Sequence, residues 1–205
     1  WNGGNLYPVE VNGTEEDCFR VAREIYADQD LIKRYNLTLA NSLNIGRLLP
    51  QTFFYTYAFT RIRKLVHSDI YYAMSTGNYG NLVSGLYSWK FSLPVNGFIT
   101  DCSASLFADD TGKCSILDSV VPLEKRGPSD PINPSNIERL EEVFFANPAV
   151  MKGLVYPASV SFQEAEKTFR EFYKKYKLII DPATVSALTA TKKRSDIIEA
   201  DEGAV

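Results

Sequence analysis

Apolar positions along this chain follow two spacings. Three short runs read as strands: Leu6-Tyr-Pro-Val-Glu-Val11, Asp69-Ile-Tyr-Tyr-Ala-Met74 and the stretch from Val95 to Thr100. The first ends in the turn pair Asn12-Gly13, and Thr14 is placed to cap a following helix with Asp17 three residues on. Along that helix Phe19, Ala22, Arg23, Tyr26 and Ala27 mix apolar and polar faces. Between Gln51 and Leu65 the side chains Phe54, Ala58, Ile62 and Leu65 fall on one helical stripe, which predicts core packing for this aromatic-dense segment. Arg61, Arg63 and Lys64 close it, where cations complement a helix C-terminus. Leu82 to Phe91 reads as a helix that Leu93-Pro94 breaks.

A strand, a helix and a second strand of these lengths form a βαβ unit, so the fold class is α/β, a twisted parallel sheet flanked by helices. Further on, Gly127 to Pro134 holds three prolines in eight residues and predicts a loop. Ser135 or Asn136 then caps a helix from Ile137 to about Phe145. Phe162 to Tyr176 is a charged amphipathic helix, and Asp181-Pro182 starts another with proline in its first turn. The domain organisation that follows is an α/β domain over 1–145, a more helical peripheral region over 146–191, and a polar, frayed tail over 192–205.

Composition narrows the function. A chain of 205 residues that is 45% hydrophobic can bury a substantial core. A net charge of −3 argues against nucleic acid as the main partner. No apolar run reaches the length of a membrane span, and no signal peptide opens the sequence, so no membrane partner is expected. Cys18, Cys102 and Cys114 are odd in number and lack zinc-ligand spacing, which fits reduced thiols in the cytoplasm and no metal site. The single histidine, His67, stands in a polar stretch without a catalytic partner.

The chemistry concentrates at Ser75-Thr-Gly-Asn-Tyr-Gly-Asn81, which joins the strand ending at Met74 to the helix near Leu82. Glycines at 77 and 80 permit positive φ and close approach of a ligand to the backbone. Successive N–H groups and the helix dipole then favour an anion such as phosphate. A plain tight turn is the competing reading. The stretch is neither a P-loop nor a dinucleotide fingerprint. Upstream, Asn41-Ser-Leu-Asn-Ile-Gly-Arg-Leu-Leu-Pro-Gln51 places Asn44 as an N-cap and Arg47 in the first helical turn, either as a second anion grip or as a capped helix with an exposed arginine. Pro50 requires the helix to start nearer Leu48 or to bend there.

These two stretches, in this order, resemble signatures of threonine synthase, a fold-type-II pyridoxal-phosphate (PLP) family with a tryptophan-synthase-β-like fold. Thr76-Gly-Asn-Tyr-Gly-Asn81 is similar to the family's Ser/Thr-Gly-Asn-Phe/Tyr-Gly-Asn/Asp loop, and Pro134-Ser-Asn-Ile-Glu-Arg-Leu-Glu141 to a later motif. The resemblance implies that Gly77, Asn78, Tyr79, Gly80 and Asn81 bind the phosphate of pyridoxal 5'-phosphate, largely through the backbone. It implies that Asn41, Ser42 and Arg47 bind the phosphate of O-phosphohomoserine, with Asn44 ordering that loop. The reaction implied is conversion of O-phosphohomoserine and water to threonine and phosphate.

The family's Ser-Phe-Lys-Asp segment, whose lysine carries the cofactor, has no counterpart here, so no catalytic residue is assigned. Its C-terminal partner for the cofactor's pyridine nitrogen is also unmatched. With Trp1 at the start, these gaps predict an internal or C-terminal-side fragment, inactive alone. The family's Thr-Asn-x-Asn-Asp is replaced by Thr100-Asp-Cys-Ser-Ala104, and its Ser-Met-Asp by Pro128-Ser-Asp130. The first change motivates an alternative, a non-catalytic threonine-synthase-like protein that binds a phosphate-bearing ligand or a protein partner.

Overall fold

Residues 4–40, 44–103, 105–116, 136–144 and 148–205 are described by the computed structural model. Asn41, Ser42, Ala104 and the proline-rich stretch 127–134 lie outside them. Contacts divide the chain into two units, residues 1–39 with 126–131, and residues 40–125 with 132–205.

In the first unit, helices α1 (Glu15–Ala27) and α2 (Gln29–Tyr35) follow one another. Thr14 and Asp17 form the expected reciprocal cap, with Thr14 N–H donating to the Asp17 carboxylate at 2.8 Å. Asp28 caps α2, and Asn36 ends it in the left-handed conformation at φ +50°. The strand expected over Leu6 to Val11 does not form. These residues pair with no other strand among the described residues, and Tyr7 and Val9 are about four-fifths exposed, at 80% and 81%. β-type composition alone cannot hold a strand without a neighbour to complete its hydrogen bonds.

The second unit opens with α3 (Ile45–Leu48), a single turn capped by the Asn44 side chain, which accepts from Gly46 N–H at 2.9 Å. Pro50 sits in the 3-10 turn Leu49–Gln51, and α4 (Thr52–Ile62) follows. The proline therefore separates two helices instead of kinking one. The predicted stripe on α4 is rotated by one residue. Tyr55 and Phe59 pack on the core, while Phe54 and Leu65 are exposed. Tyr55 wins the inward position because its hydroxyl finds a partner, the Asn81 carbonyl at 2.6 Å.

Strand β1 (Tyr71–Met74), helix α5 (Gly80–Lys90) and strand β2 (Gly97–Asp101) form the predicted βαβ unit, with Tyr71 opposite Gly97 and Met74 opposite Thr100 in a parallel pair. A hairpin of β3 (Leu106–Ala108) and β4 (Cys114–Ile116) and two helices, α6 (Ile137–Phe144) and α7 (Pro148–Lys152), precede β5 (Val155–Ala158). That strand runs parallel to β2 and completes the order β1-β2-β5. Within the stretch expected to be peripheral and helical, Val155–Ala158 is thus a strand of the sheet. The sequence reading missed β5 because it is four residues long and contains Pro157, which is tolerated on this edge strand.

Helices α8 (Phe162–Tyr176), α9 (Pro182–Lys193) and α10 (Ser195–Ala200) end the chain. Alternate residues of β2 serve two cores: Phe98 packs with Leu82, Val83 and Leu86 of α5, and Ile99 with Tyr71, Ala158 and Ala190 of α9. The sheet is covered on both faces, as parallel sheets require. Gly85 permits the closest approach, since a Cβ there would lie 2.5 Å from the Phe98 ring. Each fully buried side chain of this kind contributes about 1.5–3 kcal/mol.

The segment expected to fray is docked. Ile197 and Ile198 pack on the second core, and Ala204 bridges to Ile70 beside β1. Tyr71 N–H donates to the Ala204 carbonyl at 2.8 Å, and Ala204 N–H to that of Asp69 at 2.7 Å. The Tyr71 hydroxyl also donates to the Asp201 carboxylate. Polar composition misled there because two isoleucines, one carboxylate and the backbone of Ala204 suffice to dock the segment.

Candidate functional site

Both predicted anion-binding stretches open onto one cleft of about 590 Å³ at the carboxyl end of β1. Its walls carry Arg47 and Gln51, the turn residues Thr76, Gly77, Asn78, Gly80 and Asn81, and Asp181 and Thr184 from the start of α9. A site outside the carboxyl ends of parallel strands is the usual ligand position in such sheets.

The turn is shaped by residues behind it. Gly77 has φ +45° and Tyr79 φ +60°. Gly80 is instead the first residue of α5 and has no positive φ. A Cβ on Gly77 would meet no protein atom within 4 Å. Tyr79 lines no part of the cleft: its side chain is fully buried, its hydroxyl contacts the Ser103 hydroxyl, and its N–H donates to the Thr76 carbonyl at 2.7 Å. Burial pushes the Tyr79 phenol up, which keeps it neutral. Just before α6, the Asn136 side-chain amide donates to the Asn78 carbonyl at 3.1 Å. Tyr55, whose phenol is likewise raised by burial, braces the first turn of α5 at Asn81.

Asp101, at the end of β2, fixes the entry to the turn. Its carboxylate accepts from Thr76 N–H at 2.7 Å, the Thr76 hydroxyl at 2.8 Å, the Ser75 hydroxyl at 3.0 Å and the Ser186 hydroxyl at 2.6 Å. The sequence reading treated this position only as a departure from a family motif. An acidic residue at the carboxyl end of a predicted parallel strand was the signal that could have found it.

The start of α5 has no side-chain cap. The first N–H groups of a helix have no partner within it, and those of Gly80, Asn81 and Leu82 meet no acceptor among the described residues. Gly80 and Asn81 line the cleft, with the positive end of an eleven-residue helix at their backs. The residues present therefore suit a phosphate group. Elsewhere on the cleft wall, one guanidinium nitrogen of Arg47 donates to the Ala40 carbonyl at 2.9 Å, and no carboxylate pairs with the side chain among the described residues. Four donors remain for a ligand. With α3 one turn long, its dipole adds little to the charge of Arg47. Gln51 holds this wall, donating to the Arg47 carbonyl at 3.0 Å and accepting from the Ser84 hydroxyl at 3.3 Å. The structure thus brings together Arg47, Gly77, Asn78, Gly80 and Asn81; Asn44 acts as the cap of α3; Asn41 and Ser42 lie outside the described residues. No cluster of metal-binding side chains occurs among the described residues. No described helix is long and apolar enough to cross a membrane.

No family model matches the chain. It is 32% identical over 179 residues to the threonine synthase of Buchnera aphidicola subsp. Acyrthosiphon pisum, a match over 84% of this chain and 40% of that protein. This chain is a relative of the threonine synthases. It spans about two fifths of the curated relatives it matches, 40% of each of the first two. Threonine synthase from Escherichia coli superposes with a TM-score of 0.70 at 26% identity, over 94% of this chain and 45% of that one. PLP-bound threonine synthase from Brucella melitensis gives a TM-score of 0.61 at 19% identity, over 89% and 45%, a likeness of fold. The parallel sheet flanked by helices is accordingly part of the fold-type-II architecture of threonine synthase.

Proposed function

We propose that this chain is the part of a threonine synthase that holds two phosphates in one cleft. The complete protein converts O-phosphohomoserine and water to threonine and phosphate with pyridoxal 5'-phosphate as cofactor. The observation that carries this reading is that the uncapped start of α5 and Arg47, which pairs with no carboxylate among the described residues, line one cleft of about 590 Å³.

Gly77, Asn78, Gly80 and Asn81 hold the cofactor phosphate, chiefly through backbone N–H groups of the turn and the first turn of α5. Tyr79 acts behind them, anchoring the turn in the core. Bound pyridoxal phosphate supplies an electron-withdrawing ring that makes protons near the substrate's amino-bearing carbon removable. Arg47 binds the substrate phosphate in a two-point, charge-assisted grip and keeps its charge matched as it departs, each such bond contributing about 1.5–3 kcal/mol. Asn41 and Ser42 contribute to the same grip, and Asn44 fixes the helix that presents Arg47.

The altered stretch after Thr100 does not argue for a binding-only protein. Asp101 is engaged with the turn by three hydrogen bonds from Ser75 and Thr76, so the change from the family motif maintains the cradle. Assay of the protein expressed from its complete reading frame decides between the readings. Threonine and inorganic phosphate should form from O-phosphohomoserine only when PLP is present. A folded, PLP-loaded protein with no turnover would establish the non-catalytic alternative.

A further inference from the structure

We propose that Asp101 is the positioning residue of the phosphate turn and couples that turn to α9; the inference rests on the phosphate reading above. Asp101 does not line the cleft, so it touches no ligand. Oδ1 accepts both the N–H and the hydroxyl of Thr76, the residue that leads into Gly77. Oδ2 accepts the hydroxyls of Ser75, at the end of β1, and Ser186, on the second turn of α9. An ionised carboxylate accepts only, so all four donors are directed at one fixed point. The peptide plane between Ser75 and Thr76 is thereby set, and with it the direction in which the following N–H groups face. Through Ser186 the same carboxylate holds α9, whose Thr184 and Ala187 line the same cleft. One carboxylate thus ties the phosphate turn to a second element of the cleft wall.

Charge and geometry predict opposite outcomes here. A negative charge behind a phosphate site repels the ligand, so Asp101→Asn would tighten phosphate binding if electrostatics governed. If positioning governs, the same change weakens it, because an amide offers one acceptor oxygen where the carboxylate offers two.

The test uses the protein from its complete reading frame, freed of cofactor, with PLP and pyridoxal as paired probes. Pyridoxal lacks the phosphate, so the ratio of the two dissociation constants isolates the turn from the rest of the site. Asp101→Asn should raise the dissociation constant for PLP about tenfold and that for pyridoxal less than about twofold. Asp101→Glu, which keeps the charge and displaces it, should behave alike. Ser75→Ala and Ser186→Ala keep the carboxylate and remove one donor each; they should lower the PLP preference about threefold, and they carry the test should Asp101→Asn not fold. An unchanged or increased PLP preference in these variants overturns the positioning role. A wild-type protein that binds PLP no better than pyridoxal overturns the phosphate site itself, and this inference with it.

Discussion

Two helices begin at the same cleft, and they begin in opposite ways. Helix α9 supplies its own anion: the Asp181 carboxylate accepts from Thr184 N–H at 3.0 Å and from the Thr184 hydroxyl at 2.5 Å. Those bonds hold the Asp181 carboxyl below its usual range. Helix α5 supplies none, because the residue at its capping position is Tyr79, in a left-handed conformation with its ring in the core. Both starts present a positive dipole end and N–H groups that need acceptors, although Pro182 leaves α9 one N–H fewer. One is satisfied within the fold and the other is left for a ligand. The difference teaches that a helix start marks a binding site through what is missing from it.

The largest effect should come from the open end. Gly77→Val opposes the positive φ by about 1–2 kcal/mol and fills space on the ligand side of the turn. PLP content per folded molecule, read from absorbance and protein mass, should fall to near zero. Gly80→Val should do the same by blocking approach, although Gly80 needs no positive φ. Full occupancy in a folded variant would assign the turn a structural role only.

Next in size is the wall that carries Arg47. Arg47→Lys keeps the charge and loses the fork, so kcat/KM for O-phosphohomoserine should drop roughly tenfold to a hundredfold with PLP content unchanged. Comparable loss of PLP would show that the two phosphate sites are exchanged.

The closed end should answer with stability and not with binding. Asp181→Ala should lower the melting temperature by roughly 2–4 °C and leave PLP affinity as it was. Acid extends the same contrast. Glu164 reciprocally caps α8 with Ser161, and its hydrogen bond from Lys193, with those from Ser161, holds it at about 2, below its ordinary 4.5. A depressed carboxyl adds stability that is complete above the ordinary value and disappears as pH falls toward the depressed one. The melting temperature should therefore decline between pH 4.5 and about 2, and less steeply in Glu164→Gln.

Most of this arrangement was legible in the sequence wherever local chemistry settled it. Thr14 with Asp17 and Asn44 each cap the helix they were expected to cap, and Pro182 opens the helix it was expected to open, because side chain and backbone N–H lie within a few residues. The βαβ unit and the turn at 75–81 were equally local. What failed depended on partners distant in sequence. Leu6 to Val11 has strand composition and no strand partner among the described residues, whereas Val155 to Ala158 has a proline and a good neighbour in β2. Asp101 gains its role from Ser75, Thr76 and Ser186, up to 85 residues away. The inward turn of Tyr55 depended on a carbonyl 26 residues on.

The claim that the α5 start receives a phosphate while the α9 start does not can be measured at single amides. In the complete protein carrying nitrogen-15 in glycine, asparagine, alanine and threonine, PLP would be titrated into the cofactor-free form. The Gly80 and Asn81 amide protons should move downfield and saturate together, as N–H groups do on gaining a charged acceptor. Those of Ala183 and Thr184 should stay nearly fixed. Unmoved Gly80 and Asn81 amides at saturating PLP, or an equal shift at Thr184, would contradict the account.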